Sequence, residues 1–177
     1  MSEHYNYAMR CAHWLYAMVV ICTLSIGFYM VDLPNEAKPQ MYALHKSFGV
    51  LSFFLLVLRI IIRRFSYIPE LPDSISQFER ISAKIGVFIL YILMLIMPMS
   101  GYVMSVAGGR DVYFFSFELP KLLPINSQLS AISYIVHVNV CYILAAAIVL
   151  HILFAIKHLI FDKVNLFARI WRVESAN

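Results

Sequence analysis

Two histidines, His137 and His151, stand at the ends of a long apolar stretch, HVNVCYILAAAIVLH. Their separation of 14 residues is about 3.9 turns of an α-helix, so both imidazoles point from one face, about 21 Å apart along the axis. A bilayer core is about 30 Å thick, so one ring would lie towards each side of a membrane. An imidazole in hydrocarbon needs a partner, either a polar group on a neighbouring helix or a metal such as haem iron.

The composition shows what kind of chain holds these histidines. Of 177 residues, 62% are hydrophobic and 14% are charged, and the mean hydropathy is +0.77. These values are typical of a polytopic membrane protein, so we expect one membrane domain over residues 1–177, with lipid as a partner and no nucleic-acid partner. Cys11, Cys22 and Cys141 form no CxxC or CxxCH motif, which argues against disulfides and covalently attached haem.

Four apolar runs are long enough to cross a bilayer as helices, at roughly 9–31, 42–62, 81–106 and 131–161. The first is longer than the apolar part of a usual signal peptide and no small-residue cleavage site follows it, so we expect a retained helix. Pro98 and Gly101 are expected to kink the third. Residues 111–130 are aromatic and broken by prolines, which indicates a cap on the membrane surface with residues 113–115 at headgroup level.

The distribution of basic residues predicts the orientation. Four spans place both termini on one side of the membrane, and ten of the fourteen lysines and arginines fall on that side. The four on the other side are Lys38, Lys46, Arg110 and Lys121. By the positive-inside rule, both termini are therefore expected in the cytoplasm.

With this orientation, four histidines form two pairs by depth. His45 and His137 open the second and fourth helices at the outer side, while His13 and His151 lie near the inner ends of the first and fourth, within about one turn of each other. Two such pairs favour bis-histidine metal or haem sites over isolated hydrogen-bonded imidazoles. No aspartate or glutamate is predicted within the spans, so porphyrin iron suits these sites better than bare zinc or copper. An iron with two axial imidazoles transfers single electrons and does not bind oxygen.

The sequence around these histidines resembles the bacterial cytochrome b561 family. The matching residues are Arg10-Cys11-Ala12-His13-Trp14, His45 with Lys46 and Gly49, and His137 with His151. The resemblance implies an all-α integral membrane protein of the bacterial inner membrane, a four-transmembrane-helix bundle that binds two b haems. In the family, the positions of His13 and His151 hold one haem and those of His45 and His137 hold the other, which is also the pairing by depth.

The resemblance also implies an activity. It points to a di-haem cytochrome that acts as a superoxide:quinone oxidoreductase, with superoxide as donor and ubiquinone as acceptor. The alternative is a haem b membrane-anchor subunit that passes electrons between a dehydrogenase or hydrogenase partner and the quinone pool. The sequence leaves the choice between them open.

Two further residues are candidates for a role at the inner site. Arg59 follows His45 by the same interval that separates the two histidines of the fourth helix, so it should reach the inner haem. There it would either pair with a propionate or extend to the headgroups. His158, two turns beyond His151, is expected near the headgroups, where it would be solvated or would face a quinone.

On the outer side, a small anion such as superoxide would need a local positive potential. Lys38 and Lys46 flank His45 and are the expected steering residues, while Arg110 is a weaker candidate. Lys46 could instead hold an outer propionate. The acidic residues of the outer side balance its formal charge, so only the local arrangement could attract an anion; they are Asp32, Glu36, Asp111 and Glu118.

Overall fold

The computed structural model describes residues 5–171 and consists mainly of helices. In chain order the elements are α1 (Tyr7–Val31), α2 (Lys38–Arg64), α3 (Gln77–Ala107), β1 (Tyr113–Phe114), β2 (Phe117–Glu118), α4 (Ser127–Ile160) and α5 (Leu166–Trp171). Within residues 5–171, α1 to α4 are the helices that are long and apolar enough to cross a bilayer. The predicted four-helix membrane architecture is therefore confirmed.

The four long helices begin two to four residues before the apolar runs from which they were predicted. For α1, α3 and α4 the reason is that a polar residue caps the N-terminal end, whereas α2 follows Ala37, which makes no side-chain cap. Ser76 and Glu79 form a reciprocal capping box at the start of α3, and the Asn126 side chain accepts a hydrogen bond from the Leu129 amide at the start of α4. Glu79 thus lies in the first turn of α3, so the expectation of no acidic residue within the spans was wrong at that end.

Helix α1 packs against α2, α3 packs against α4, and α2 joins the two pairs by packing against α3. One small core consists of Tyr16, Val20 and Leu56, and a second consists of Leu90, Leu93 and Leu144. Most other apolar side chains of the long helices face outward, as they must in a protein whose solvent is hydrocarbon. Helix α3 continues through Pro98 without interruption.

The expected surface cap contains a β-hairpin in which Tyr113 pairs with Glu118 and Phe114 with Phe117. Ser47 of α2 attaches this hairpin to the bundle. Its hydroxyl accepts the Phe115 amide proton at 3.0 Å and lies 3.1 Å from the Tyr113 carbonyl oxygen. Phe115 has a φ of 53°, which is unfavourable for a bulky residue. The hydrogen bond from its amide to the Ser47 hydroxyl helps to hold this conformation.

At the opposite end, α5 folds back beneath the bundle and contacts α1 and α4. The Trp14 indole N–H donates to the Ile170 carbonyl at 3.1 Å, and the rings of Trp14 and Trp171 meet edge to face at 5.2 Å. The Tyr5 amide donates to the Arg169 carbonyl at 3.1 Å. These contacts fix the C-terminal helix next to the inner end of α1.

The attachment of the hairpin can be tested with Ser47→Ala. This change leaves the Phe115 amide without its acceptor, which should cost about 1 to 3 kcal/mol of local stability. Hydrogen exchange of the hairpin amides should accelerate roughly 5- to 150-fold. Ser52→Ala is the matched control, because Ser52 is also buried but bonds only to Gly49 within its own helix. Equal exchange in both variants would contradict the role of Ser47.

Candidate functional site

His45 of α2 and His137 of α4 face each other at the end of the bundle that carries the hairpin. Their ring centres are 6.1 Å apart and their planes are at 89°. Two metal–nitrogen bonds of about 2 Å, with about 1 Å from each nitrogen to its ring centre, also add to about 6 Å. The distance between the rings is therefore the one that a metal ion bound to both imidazoles would require.

Backbone carbonyls determine which nitrogen of each ring is available. Nδ1 of His45 lies 3.1 Å from the Thr23 carbonyl oxygen, and Nδ1 of His137 lies 3.1 Å from that of Met97 and 3.0 Å from the Ser100 hydroxyl. A carbonyl can only accept, so each Nδ1 carries the proton. The lone pair of Nε2 then remains for a metal, as in most metal-binding histidines.

A glycine lies behind each of these two rings. A Cβ atom on Gly27 would be 3.0 Å from Cε1 of His45, and one on Gly101 would be 3.1 Å from Cε1 of His137. In both cases the carbonyl that accepts from the histidine belongs to the residue four positions earlier, Thr23 or Met97. The missing side chain lets the ring reach that carbonyl. Gly27 was not among the predicted site residues, and Gly101 was predicted only to kink α3.

The inner histidines, His13 of α1 and His151 of α4, lie at the opposite end of the bundle. Arg59 of α2 reaches the same end, because its guanidinium lies over the ring of Tyr16, three residues after His13 on α1. Arg59 donates through Nε to the Tyr91 hydroxyl at 3.2 Å, and its guanidinium lies 5.8 Å from the ring centres of Tyr91 and Tyr16. The structure thus brings Arg59 to the inner pair and holds it there between aromatic rings.

On the outer side, the Lys46 ammonium donates to the Asp111 backbone carbonyl at 2.8 Å. The Asp111 carboxylate instead pairs with Lys121 at 2.5 Å. Arg110 lines an open cavity of about 460 Å³ together with the hydroxyl side chains of Ser127, Ser130 and Tyr134. Lys38 lies seven residues before His45 on the same helix, which places it about 10 Å further out.

His158 is buried, with 6% of its surface exposed, so the first of its two predicted roles, a solvated one, is wrong. Its Nδ1 lies 2.6 Å from the Asp162 carboxylate. Lys157 bonds to Asp162 at 2.7 Å and also to Glu79 of α3. Neither carboxylate was predicted from the sequence. The spacing of Ser76 and Glu79 is nevertheless a recognisable signal for the start of a helix, and it places Glu79 at this end of the bundle.

Comparison with known proteins agrees with this arrangement. A model of the prokaryotic cytochrome b561 family matches residues 4–172. The chain belongs to the prokaryotic cytochrome b561 family. It is 30% identical to cytochrome b561 homolog 2 of Escherichia coli (strain K12) over 167 residues, which cover 91% of this chain and 87% of that protein. It is 25% identical to the probable superoxide oxidase CybB of Yersinia pestis over 159 residues, covering 89% and 90% respectively.

Membership makes this b561 cytochrome a membrane electron carrier with b-type haem, and it confirms the family resemblance found in the sequence. The residues of this chain fit a b-type haem. The outer imidazoles are suitably spaced and their Nε2 atoms are not used by the backbone carbonyls, and Cys11, Cys22 and Cys141 are free. With no CxxCH motif in the chain, the haem would be held by coordination alone.

The glycine behind His45 can be tested with Gly27→Ala. The added methyl group would press on the ring, which must move by a few tenths of an ångström and lose alignment with the Thr23 carbonyl. Loss of such an orienting contact should weaken haem retention at the outer site roughly 10-fold and alter the electron paramagnetic resonance of that haem. Gly86→Ala is the control, because a Cβ there meets nothing within 4 Å. Identical haem content and spectra in the two variants would argue against this contact.

Proposed function

We propose that this cytochrome passes single electrons from superoxide to ubiquinone across the bacterial inner membrane, using two b haems. The observation that carries the proposal is the pair formed by His45 and His137, whose spacing fits one metal ion. The Lys46 side chain lies at the same end of the bundle. The name of the Yersinia pestis relative, a probable superoxide oxidase, supports the same activity.

In this proposal, His45 and His137 would hold the outer haem through Nε2, and His13 and His151 would hold the inner one. One-electron transfer is the chemistry that haem with two axial imidazoles supplies. The carbonyls of Thr23 and Met97 keep the outer ligands in orientation. Arg59, which donates to Tyr91 near both inner histidines, would pair with a propionate there.

The proposed donor side is the end that carries the β-hairpin. The Asp111 carboxylate is paired with Lys121, while the Lys46 ammonium donates to the Asp111 backbone carbonyl, so two ammonium groups share this one carboxylate. Lys38, two turns further out, and Arg110 in its open cavity extend the positive region. We propose that these cations attract superoxide towards His45 and His137. The excess of basic residues at the other end supports a cytoplasmic location for both termini.

The proposed acceptor side is the inner end, where ubiquinone would enter from the lipid. His158 lies seven residues after His151 on α4, so it is on the same helix face about 10 Å further towards the termini. It is buried among residues of α3, α4 and the following turn. We propose that His158 faces the quinone.

The pairing of ligands predicts the result of single substitutions. His45→Ala should remove chiefly the outer haem and His13→Ala chiefly the inner one, because an iron without one axial imidazole binds less tightly. A haem count per protein together with reduced-minus-oxidised spectra would show about half of the wild-type haem in each variant. His158→Ala is the control and should keep both haems. Full haem content in His13→Ala would defeat the proposed pairing.

The steering of superoxide predicts a dependence on salt. The rate of haem reduction by superoxide should fall with ionic strength in the wild type, with a shallower slope in Lys46→Gln and Lys38→Gln. Lys84→Gln, which removes the same charge from the exposed inner half of α3, should retain the wild-type slope. A rate that is slow and independent of salt throughout would exclude superoxide as donor. A dehydrogenase that co-purifies with the chain would then support the anchor-subunit alternative.

A further inference from the structure

Four polar side chains from three segments form one hydrogen-bonded network at the inner end of the bundle. Lys157, in the last turn of α4, donates to Glu79 in the first turn of α3 and to Asp162 just after α4, at 2.7 Å in the second case. Asp162 also bonds to Nδ1 of His158 at 2.6 Å. The network therefore ties the ends of two spanning helices together through charged groups.

The network extends from the surface to a buried ring. The side chains of Glu79, Asp162 and Lys157 are 31%, 27% and 38% exposed, whereas that of His158 is 8% exposed. Water can thus reach the carboxylates and the ammonium but not most of the imidazole. The exposed groups of the network are therefore linked by hydrogen bonds to Nδ1 of the buried ring.

The charge state of Asp162 determines which nitrogen of His158 can exchange a proton. Hydrogen bonds from Lys157 and, secondarily, from His158 hold the pKa of Asp162 below its usual range. The carboxylate stays ionised at neutral pH and can only accept, so Nδ1 of His158 carries the hydrogen in that bond. Nε2 is then the nitrogen that can gain and lose a proton, the arrangement by which a carboxylate orients a catalytic histidine.

The charged groups around His158 come from each element that packs there. Helix α3 contributes Glu79, α4 contributes Lys157, and the turn after α4 contributes Asp162. Helix α5 contributes Arg169, whose guanidinium donates to the Glu70 carbonyl at 2.6 Å. Ligand atoms of Glu79, His158 and Asp162 lie within 4.8 Å of one another, but Lys157 already bonds to both carboxylates, so this arrangement favours proton transfer over the binding of a metal ion.

We propose that His158, oriented by the network of Glu79, Lys157 and Asp162, donates the protons for quinone reduction. This inference rests on the proposed function. Two superoxide ions become two oxygen molecules and release two electrons, and one quinone takes up these electrons with two protons to become a quinol. For each proton, the Nε2–H bond of the His158 imidazolium breaks as a quinol O–H bond forms, the Nδ1–H bond to Asp162 is kept, and Nε2 is then reprotonated from solvent.

The test separates electron entry from electron exit. Haem-loaded cytochrome is reduced without oxygen and mixed with a short-chain ubiquinone, and its reoxidation is followed by absorbance across the neutral pH range. In Asp162→Asn and His158→Ala, reoxidation should be on the order of 10- to 100-fold slower, with a changed pH profile. Added imidazole should restore part of the rate in His158→Ala. Reduction of the haems by superoxide should equal that of the wild type in both variants.

Asp73→Asn is the control, because Asp73 forms an exposed ion pair with Arg80 at the same end of the chain. It should reoxidise like the wild type at every pH. If quinone reoxidises the wild type and all variants with the same rates and pH profile, the proton-delivery role is overturned while the proposed function stands. If quinone fails to reoxidise even the wild type, the proposed acceptor is wrong and the proton-delivery role falls with it.

Discussion

Every imidazole nitrogen in an apolar bundle needs a partner, and the outer end of this structure depends on how that requirement is met. The carbonyls of Thr23 and Met97 take the Nδ1 protons of His45 and His137. A glycine follows each of them by one turn, so no side chain covers the carbonyl. The two rings are thereby fixed against α1 and α3, with their centres 6.1 Å apart and their Nε2 atoms left unprotonated.

Helix α4 connects the two ends of the molecule because it carries one histidine of each pair. Leu144 lies midway between them in the sequence and is buried against Leu90 and Leu93 of α3. This apolar contact separates the two pairs of histidines with groups that have no hydrogen-bonding demands. The helix can therefore hold polar groups at two depths while the rest of its surface remains suited to lipid.

The family, the four spans and the depths of the histidines could be inferred from the sequence because they depend on hydropathy and spacing. Hydrogen-bond partners that are backbone atoms could not be inferred. Every residue has a carbonyl, so the sequence does not show that the one of Thr23 accepts from a histidine. Gly101 was predicted only to kink its helix. Its effect in the structure is to leave space for the ring of His137, which belongs to another helix, so the sequence of α3 alone does not reveal it. The burial of His158 depends on its contacts with α3 and with the turn after α4, and periodicity within one helix does not predict them.

The two ends of the bundle differ in how their charges are compensated, and the difference suits the two half-reactions that we propose. At the hairpin end, Asp111 pairs with Lys121 while Lys46 donates to its backbone carbonyl, so two ammonium groups share one carboxylate, an arrangement that would attract an anion needing no proton. At the other end, Lys157 is matched by two carboxylates and a buried histidine stands behind them. A neutral quinone that enters from the lipid needs no field to attract it. What that end offers instead is a buried proton donor, and a quinone requires protons where superoxide does not.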